Sequence, residues 1–249
     1  MKNKSFSIFK SLAAIAILLA AWQISAIVID HPFLLPDIPD TLSALGELVT
    51  RKEFYLVTLQ TLLRVLSGLI IGILTGAAFA IIAYKLKFVE SLLTPIVSII
   101  KATPIASIII ILYVIMSGNA LAVFIAILMV FPIVWQNLTD AFNSVPQDLV
   151  EVCTLYEIPF SKKFKIMYLP ALMKYFVPAA ITSTGLAWKA TVSAEIIAYT
   201  TNSIGQYIND AKSSYDSPTV FAWTVIIIIF SILFEALTKS LLRRCKKWL

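Results

Sequence analysis

One histidine and two cysteines are all that the 249-residue chain offers toward imidazole or thiol chemistry. Cys153 and Cys245 lie far apart and form no C-x-x-C, which argues against a disulfide framework or a zinc site. His31 stands beside Pro32 and reads as a loop histidine, and no metal site or nucleophile–His catalysis is expected around it. None of the seven glycines precedes a lysine, so the G-x-x-x-x-G-K-[ST] phosphate loop is missing and nothing here is built to hydrolyse ATP. Charge is scarce as well. Only 14% of residues are charged, against about 25% in soluble domains. The net charge of +6 does not point to nucleic acid, because the basic residues gather at the ends of apolar runs and form no basic-aromatic patch.

Apolar residues fill the space those absences leave. They make up 59% of the chain, and the mean hydropathy is +0.90. A soluble fold of this size could not hide that much apolar surface, so the expected class is all-α integral membrane. Spanning helices need roughly 20 apolar residues. Six segments qualify, at about residues 11–29, 56–84, 88–116, 120–138, 171–199 and 219–242. The third is expected to bend at Pro95 and Pro104, and the fifth contains Pro178. The first has lysines ahead of its apolar run, but that run exceeds the 7–15 residues usual in a signal peptide. It is read as an uncleaved span, within a single transmembrane domain over residues 1–249.

Orientation follows from the lysines and arginines of the short connections. Fourteen fall at the two termini and in the connections after spans two and four, whereas Arg51, Lys52 and Lys212 are the three on the opposite side. Both termini are therefore expected in the cytoplasm, with both cysteines as free thiols. The outer segment 30–55 is acidic and proline-rich at its start. A short amphipathic helix follows, with Leu42, Leu45 and Val49 on one face and Asp40 as its N-cap.

The connection at residues 139–170 is far longer than the usual 2–8 residues. Ser144 and Gln147 have capping-box spacing, and Leu149, Val152, Cys153 and Tyr156 recur at i, i+3, i+4 and i+7. Pro159 is expected to stop this helix, Ser161 to cap a second one, and Pro170 to break the chain again. Two roles fit such a cytoplasmic knob. It could dock in a groove of another protein, or lie on lipid headgroups with Lys162, Lys163 and Lys165 on anionic lipid.

Glu151-Val152-Cys153, with Glu157 six residues after Glu151, then Met167, then Leu169-Pro170, resembles the EAA motif of ABC-transporter permeases. In that motif Glu-Ala-Ala is followed by three residues, Gly, nine residues, Ile, one residue and Leu-Pro. Here both Ala positions, the Gly and the Ile depart. Gly185–Ile197 (GLAWKATVSAEII), Thr61–Gly68 (TLLRVLSG) and Thr94–Ile108 (TPIVSIIKATPIASI) resemble segments of sulfonate-, taurine- and nitrate-type permeases, in the same order. The resemblance covers roughly Leu56 to Lys239. It implies the permease fold of a type I ABC importer in a prokaryotic plasma membrane, with a five-helix core over 56–242. It implies a second permease copy, an ABC ATPase dimer that binds the ATP, and an extracytoplasmic substrate-binding protein. The 139–170 connection would then be the loop that couples to the ATPase. With Glu157 in place of the motif glycine, the turn is expected to shift toward Pro159.

Ionisable residues inside spans cost about 2.5–3.5 kcal/mol each on insertion scales. Arg64, Lys101, Lys189 and Glu195 are of this kind. Lys101, Lys189, Ser193 and Glu195 are candidates for a water-filled pathway favouring an anionic solute. Pairing across helices or snorkelling to an interface is the competing account. Lys189 and Glu195 would be the coupling residues of the alternative class, an ion-gradient-driven carrier, although no internal repeat supports it. An intramembrane enzyme lacks its constellation, for no span contains a histidine or a central aspartate.

Overall fold

The computed structural model describes the backbone of residues 2–245 and, within it, the side chains of residues 10 and 13–242. Lys2, Lys4, Arg243, Arg244, Lys246 and Lys247 of the charge count, and the Cys245 thiol, lie outside the described side chains.

All regular structure among the described residues is helical: α1 (Lys2–Ile29), α2 (Ile38–Thr50), α3 (Lys52–Lys85), α4 (Lys87–Ala102), α5 (Ile105–Tyr113), α6 (Gly118–Asn143), α7 (Gln147–Leu155), α8 (Phe160–Lys163), a π-helical turn (Phe164–Tyr168), α9 (Leu169–Ile197), α10 (Ile204–Ser213) and α11 (Ser217–Cys245). Among the described residues, α3, α6, the continuous Phe160–Ile197 stretch and α11 are each long and apolar enough to cross a membrane. The pair α4–α5 adds a fifth, bent by 97°. The break falls at Pro104, whose ring disfavours helical backbone at Thr103 and leaves it extended, while Pro95 lies inside α4.

Four helices build the core. α3 lies on α6, α6 on α9, and α9 on α11. The α3–α6 contact rests on Gly68, Gly72 and Gly76, which stack at intervals of four on the face toward α6. A methyl group at Gly72 would come within 2.7 Å of Val130, and one at Gly76 within 2.9 Å of Val134. Small residues at this spacing let two backbones approach closely. Trp188, packed on Phe230 and Phe234, and Trp223, stacked on Phe54, are fully buried. Leucine and isoleucine side chains on the outer faces stay exposed, as lipid contact requires.

The outer segment differs from expectation in detail. α2 is capped by Asp37, whose side chain accepts from the Asp40 N–H at 2.8 Å. Asp40 itself sits in the first turn, because Pro39 starts the helix earlier than the apolar pattern does. Leu42 and Val49 are exposed, and Thr41 and Leu48 are the buried residues. The segment is pinned to α1 by the Trp22 indole N–H donating to the Pro36 carbonyl and the Ile38 N–H donating to Gln23. α10 falls in residues to which the hydropathy pattern assigned no element. Ser203 caps it, and it buries Ile204, Ile208 and Asn209.

Candidate coupling knob and intramembrane polar centre

Between α6 and α9 the chain turns outward as α7, α8 and the π turn. Ser144 does not cap α7. Its hydroxyl donates back to the Ala141 carbonyl at the end of α6, and Pro146 occupies the N-cap position instead. Ser161 likewise lies within α8, which Pro159 begins. Pro170 does not break the chain. It occupies the first turn of α9, and the π turn before it widens the helix where a proline ring would otherwise press on the preceding turn. The second helix expected in the knob is thus the foot of a spanning helix.

α7 ends in a left-handed residue. The Ile158 N–H donates to the Cys153 carbonyl at 3.0 Å and the Glu157 N–H to the Thr154 carbonyl at 3.1 Å. This pair of bonds is a Schellman motif, and its left-handed position is Glu157, with φ 48°. The turn has therefore not shifted toward Pro159. Glu157 adopts the backbone conformation that the motif glycine would take freely.

The apolar stripe divides. Cys153 turns inward, its thiol 3.4 Å from the Met167 sulfur. Leu149, Val152 and Tyr156 face out, joined by Leu155 and Phe160, which are 79% and 73% exposed. Glu151 is exposed on the same helix, while Leu169 and Pro170 open α9 behind it. The foot of the knob is tied to the core by aromatic residues that the sequence reading did not single out. The Tyr84 and Tyr168 hydroxyls are 2.8 Å apart, and Tyr84 stacks on Phe142 at 4.7 Å. These three rings join the ends of α3 and α6 to the π turn.

The second polar centre lies where α3, α9 and α10 meet. Arg64 and Glu195 form an ion pair at 2.9 Å, with Glu195 wholly buried. The other carboxylate oxygen accepts from the Thr61 hydroxyl at 3.0 Å and the Gly205 N–H at 3.4 Å. Arg64 also donates to Asn119 and to the carbonyls of Thr201 and Asn202. Every lone pair that matters is met, which is the condition under which a buried charge is tolerated.

The remaining pathway candidates lie elsewhere. Lys189 and Ser193 share the opposite, outward side of α9 with Thr182 and Leu186; Lys189 is exposed and Ser193 half-buried. Lys101 donates to Gln136 at 2.7 Å across the α4–α6 groove. Glu195 is thus brought together with Arg64, and neither meets Lys101 or Lys189 in any hydrogen bond or ion pair among the described residues.

A polytopic helical bundle with an exposed apolar knob between two spans defines a membrane translocation subunit. Residues 68–247 match the family described as the binding-protein-dependent transport system inner membrane component, and the chain belongs to this family of ABC-transporter permeases. It is a multi-pass inner-membrane protein. The chain is 24% identical over 249 residues to the putative aliphatic sulfonates transport permease SsuC of Bacillus subtilis (strain 168), covering 99% of this chain and 90% of that protein. It is 28% identical to the bicarbonate transport permease CmpB of Synechocystis sp. over 69% of this chain and 62% of that protein. It is also 28% identical to the nitrate import permease NrtB of the same organism, over 83% and 78% respectively.

Proposed function

We propose that this chain is the pathway-forming subunit of an ATP-driven importer for a small solute carrying an anionic group. The relatives named above handle aliphatic sulfonates, bicarbonate and nitrate, which share that chemistry. Two copies of the chain enclose the pathway by alternating access. An extracytoplasmic binding protein delivers the solute, and a pair of ATPase subunits binds and hydrolyses ATP. The chain has six spans, α1 included, with both termini in the cytoplasm. Exposed apolar side chains along α1, among them Leu18 and Val28, support its contact with lipid.

The observation that carries this reading is the uncovered apolar face of α7. Leu149, Val152, Leu155, Tyr156 and Phe160 are all exposed at the tip of an otherwise polar knob. A helix presenting an apolar face suits docking in a groove of a soluble partner. Membership in the permease family favours an ATPase over lipid as that partner. It also weighs against the ion-gradient carrier, as does Glu195, which is closed within its ion pair. Co-purification with an ABC ATPase subunit from the same organism tests the docking. Leu155→Asp with Tyr156→Asp should abolish the complex, whereas Lys162→Gln with Lys165→Gln should leave it intact. An undiminished complex in the aspartate variant would refute the docking role.

A further inference from the structure

α3, α5, α6, α10 and α11 all pack against α9 and leave one side of it open. Between residues 178 and 197 the exposed positions are Pro178, Thr182, Leu186 and Lys189, with Ser193 half-buried next in line. Steps of four and three residues keep all five within about 80° of the helix circumference. The strip is not built like the lipid-facing surfaces elsewhere. Those carry leucine and isoleucine, such as Leu63, Leu74, Ile228 and Ile232. Hydroxyls there donate back along the helix, Ser67 to Leu63 at 2.7 Å and Thr224 to Val220 at 2.9 Å. The Thr182 and Ser193 hydroxyls make no such bond, and the Lys189 ammonium meets no acceptor among the described residues. Arg64 and Lys101, by contrast, are committed to Glu195 and Gln136. Lys189 lies about 12 Å from the Ile197 end of α9, within the spanning stretch. An ammonium turned to lipid inside a span costs about 2.5–3.5 kcal/mol, so such residues face water or a protein partner.

A carboxylate stands close by. Glu235 is exposed on α11, and its Oε2 lies 3.5 Å from the point that a methyl group on Gly185 would occupy. Lys189 is one turn beyond Gly185 on the same face, which brings Glu235 within a lysine's reach. No ion pair joins the two. An anion arriving at Lys189 therefore competes with this carboxylate, and the strip is more positive without it.

We propose that the open strip of α9 is the anion contact of the pathway, with Lys189 selecting cargo by charge and Glu235 opposing it. Thr182 and Ser193 offer hydroxyl donors along the way. The proposal rests on the paired-permease reading, in which a second copy facing the strip encloses it in water instead of lipid.

Cysteine reactivity tests it, in the chain purified with its ATPase into nanodiscs, with Cys153→Ser and Cys245→Ser as background. Leu186→Cys places a thiol one turn from Lys189. Its rates with an anionic and a cationic methanethiosulfonate, the ethylsulfonate and the ethyltrimethylammonium, are each divided by the rate with free cysteine. The normalised rate is expected to be about tenfold higher for the anionic reagent. Lys189→Gln should bring the two rates within about threefold of each other, Lys189→Arg should keep the difference, and Glu235→Gln should widen it about threefold. Leu74→Cys, turned to lipid, should react with neither reagent. An unreactive Leu186→Cys, a rate ratio unmoved by Lys189→Gln, or a ratio unchanged or lowered by Glu235→Gln would overturn the proposal. ATPase co-purification on the same preparations separates the two readings. An intact complex with any of these results removes the anion contact alone, and a missing complex removes the permease–ATPase reading.

Discussion

Glu157 and the Arg64–Glu195 pair show how single residues set the geometry here. Left-handed backbone costs a residue with a Cβ about 1–2 kcal/mol, a cost glycine avoids. Glu157→Gly should therefore stabilise the end of α7 by about 1 kcal/mol, and Glu157→Val should weaken it further because β-branching opposes that conformation. Amide hydrogen exchange at Glu157 and Ile158 checks both, slowing in the first variant and quickening in the second. At the ion pair, removing one partner leaves a buried charge without compensation, which costs about 3–5 kcal/mol. Glu195→Gln and Arg64→Met are each expected to lower stability by that order. The double variant should lose much less than the sum, as thermal unfolding in detergent would measure. The pair itself was not legible in the sequence. Arg64 and Glu195 are 131 positions apart, and helical spacing relates only near neighbours. What the sequence did show was that both residues, as charges within spans, needed a reason to be there.

At the scale of elements, α3 and α6 are held by the glycine ladder. Gly72→Leu should overpack the contact with Val130 and destabilise the chain by about 1–3 kcal/mol or more. Gly46→Ala, where a methyl group would meet nothing within 4 Å, should be neutral or slightly stabilising. Melting temperatures of the two variants compare them directly. The four-residue glycine spacing was present in the sequence and unused, since hydropathy counts a glycine as neutral. The spans at 56–84, 120–138 and 171–199 were legible because long apolar runs leave a helix no alternative in lipid. Their ends were not: α3 and α6 continue past the apolar run into polar residues that still bond along the helix, and α9 stops two residues short of the expected end. α10 was missed for a related reason. It is short and polar on one side, and its narrow buried face of Ile204, Ile208 and Ala211 is mixed with Gly205 and Asn209, too little apolar length to register as a span. The break at Pro104 was legible from the proline itself, and Pro95 stays within α4 because a proline is tolerated in a membrane helix when neighbouring groups meet the freed carbonyl.

For the whole molecule, the aromatic join of Tyr84, Phe142 and Tyr168 makes the knob an extension of the core. Tyr168→Phe removes the hydroxyl pair while keeping the ring, and should cost about 0.5–1.5 kcal/mol of stability with the ATPase complex intact. A larger effect on coupled uptake than on complex formation would place these rings in the transmission of movement. The membrane class and the presence of a helical knob between two spans could be read from composition and spacing. The partner could not, since one exposed apolar face fits a protein groove and a lipid surface alike, and it is family membership that favours the groove. The central claim is that a separate ATPase drives this chain through α7. Its most direct test is solute uptake into proteoliposomes holding the chain, its ATPase and the loaded binding protein, measured beside ATP hydrolysis. Uptake should require ATP and the ATPase, and should fall at least tenfold in the Leu155→Asp, Tyr156→Asp variant while the chain stays folded. Uptake that persists without the ATPase, or is unchanged in that variant, would contradict the account.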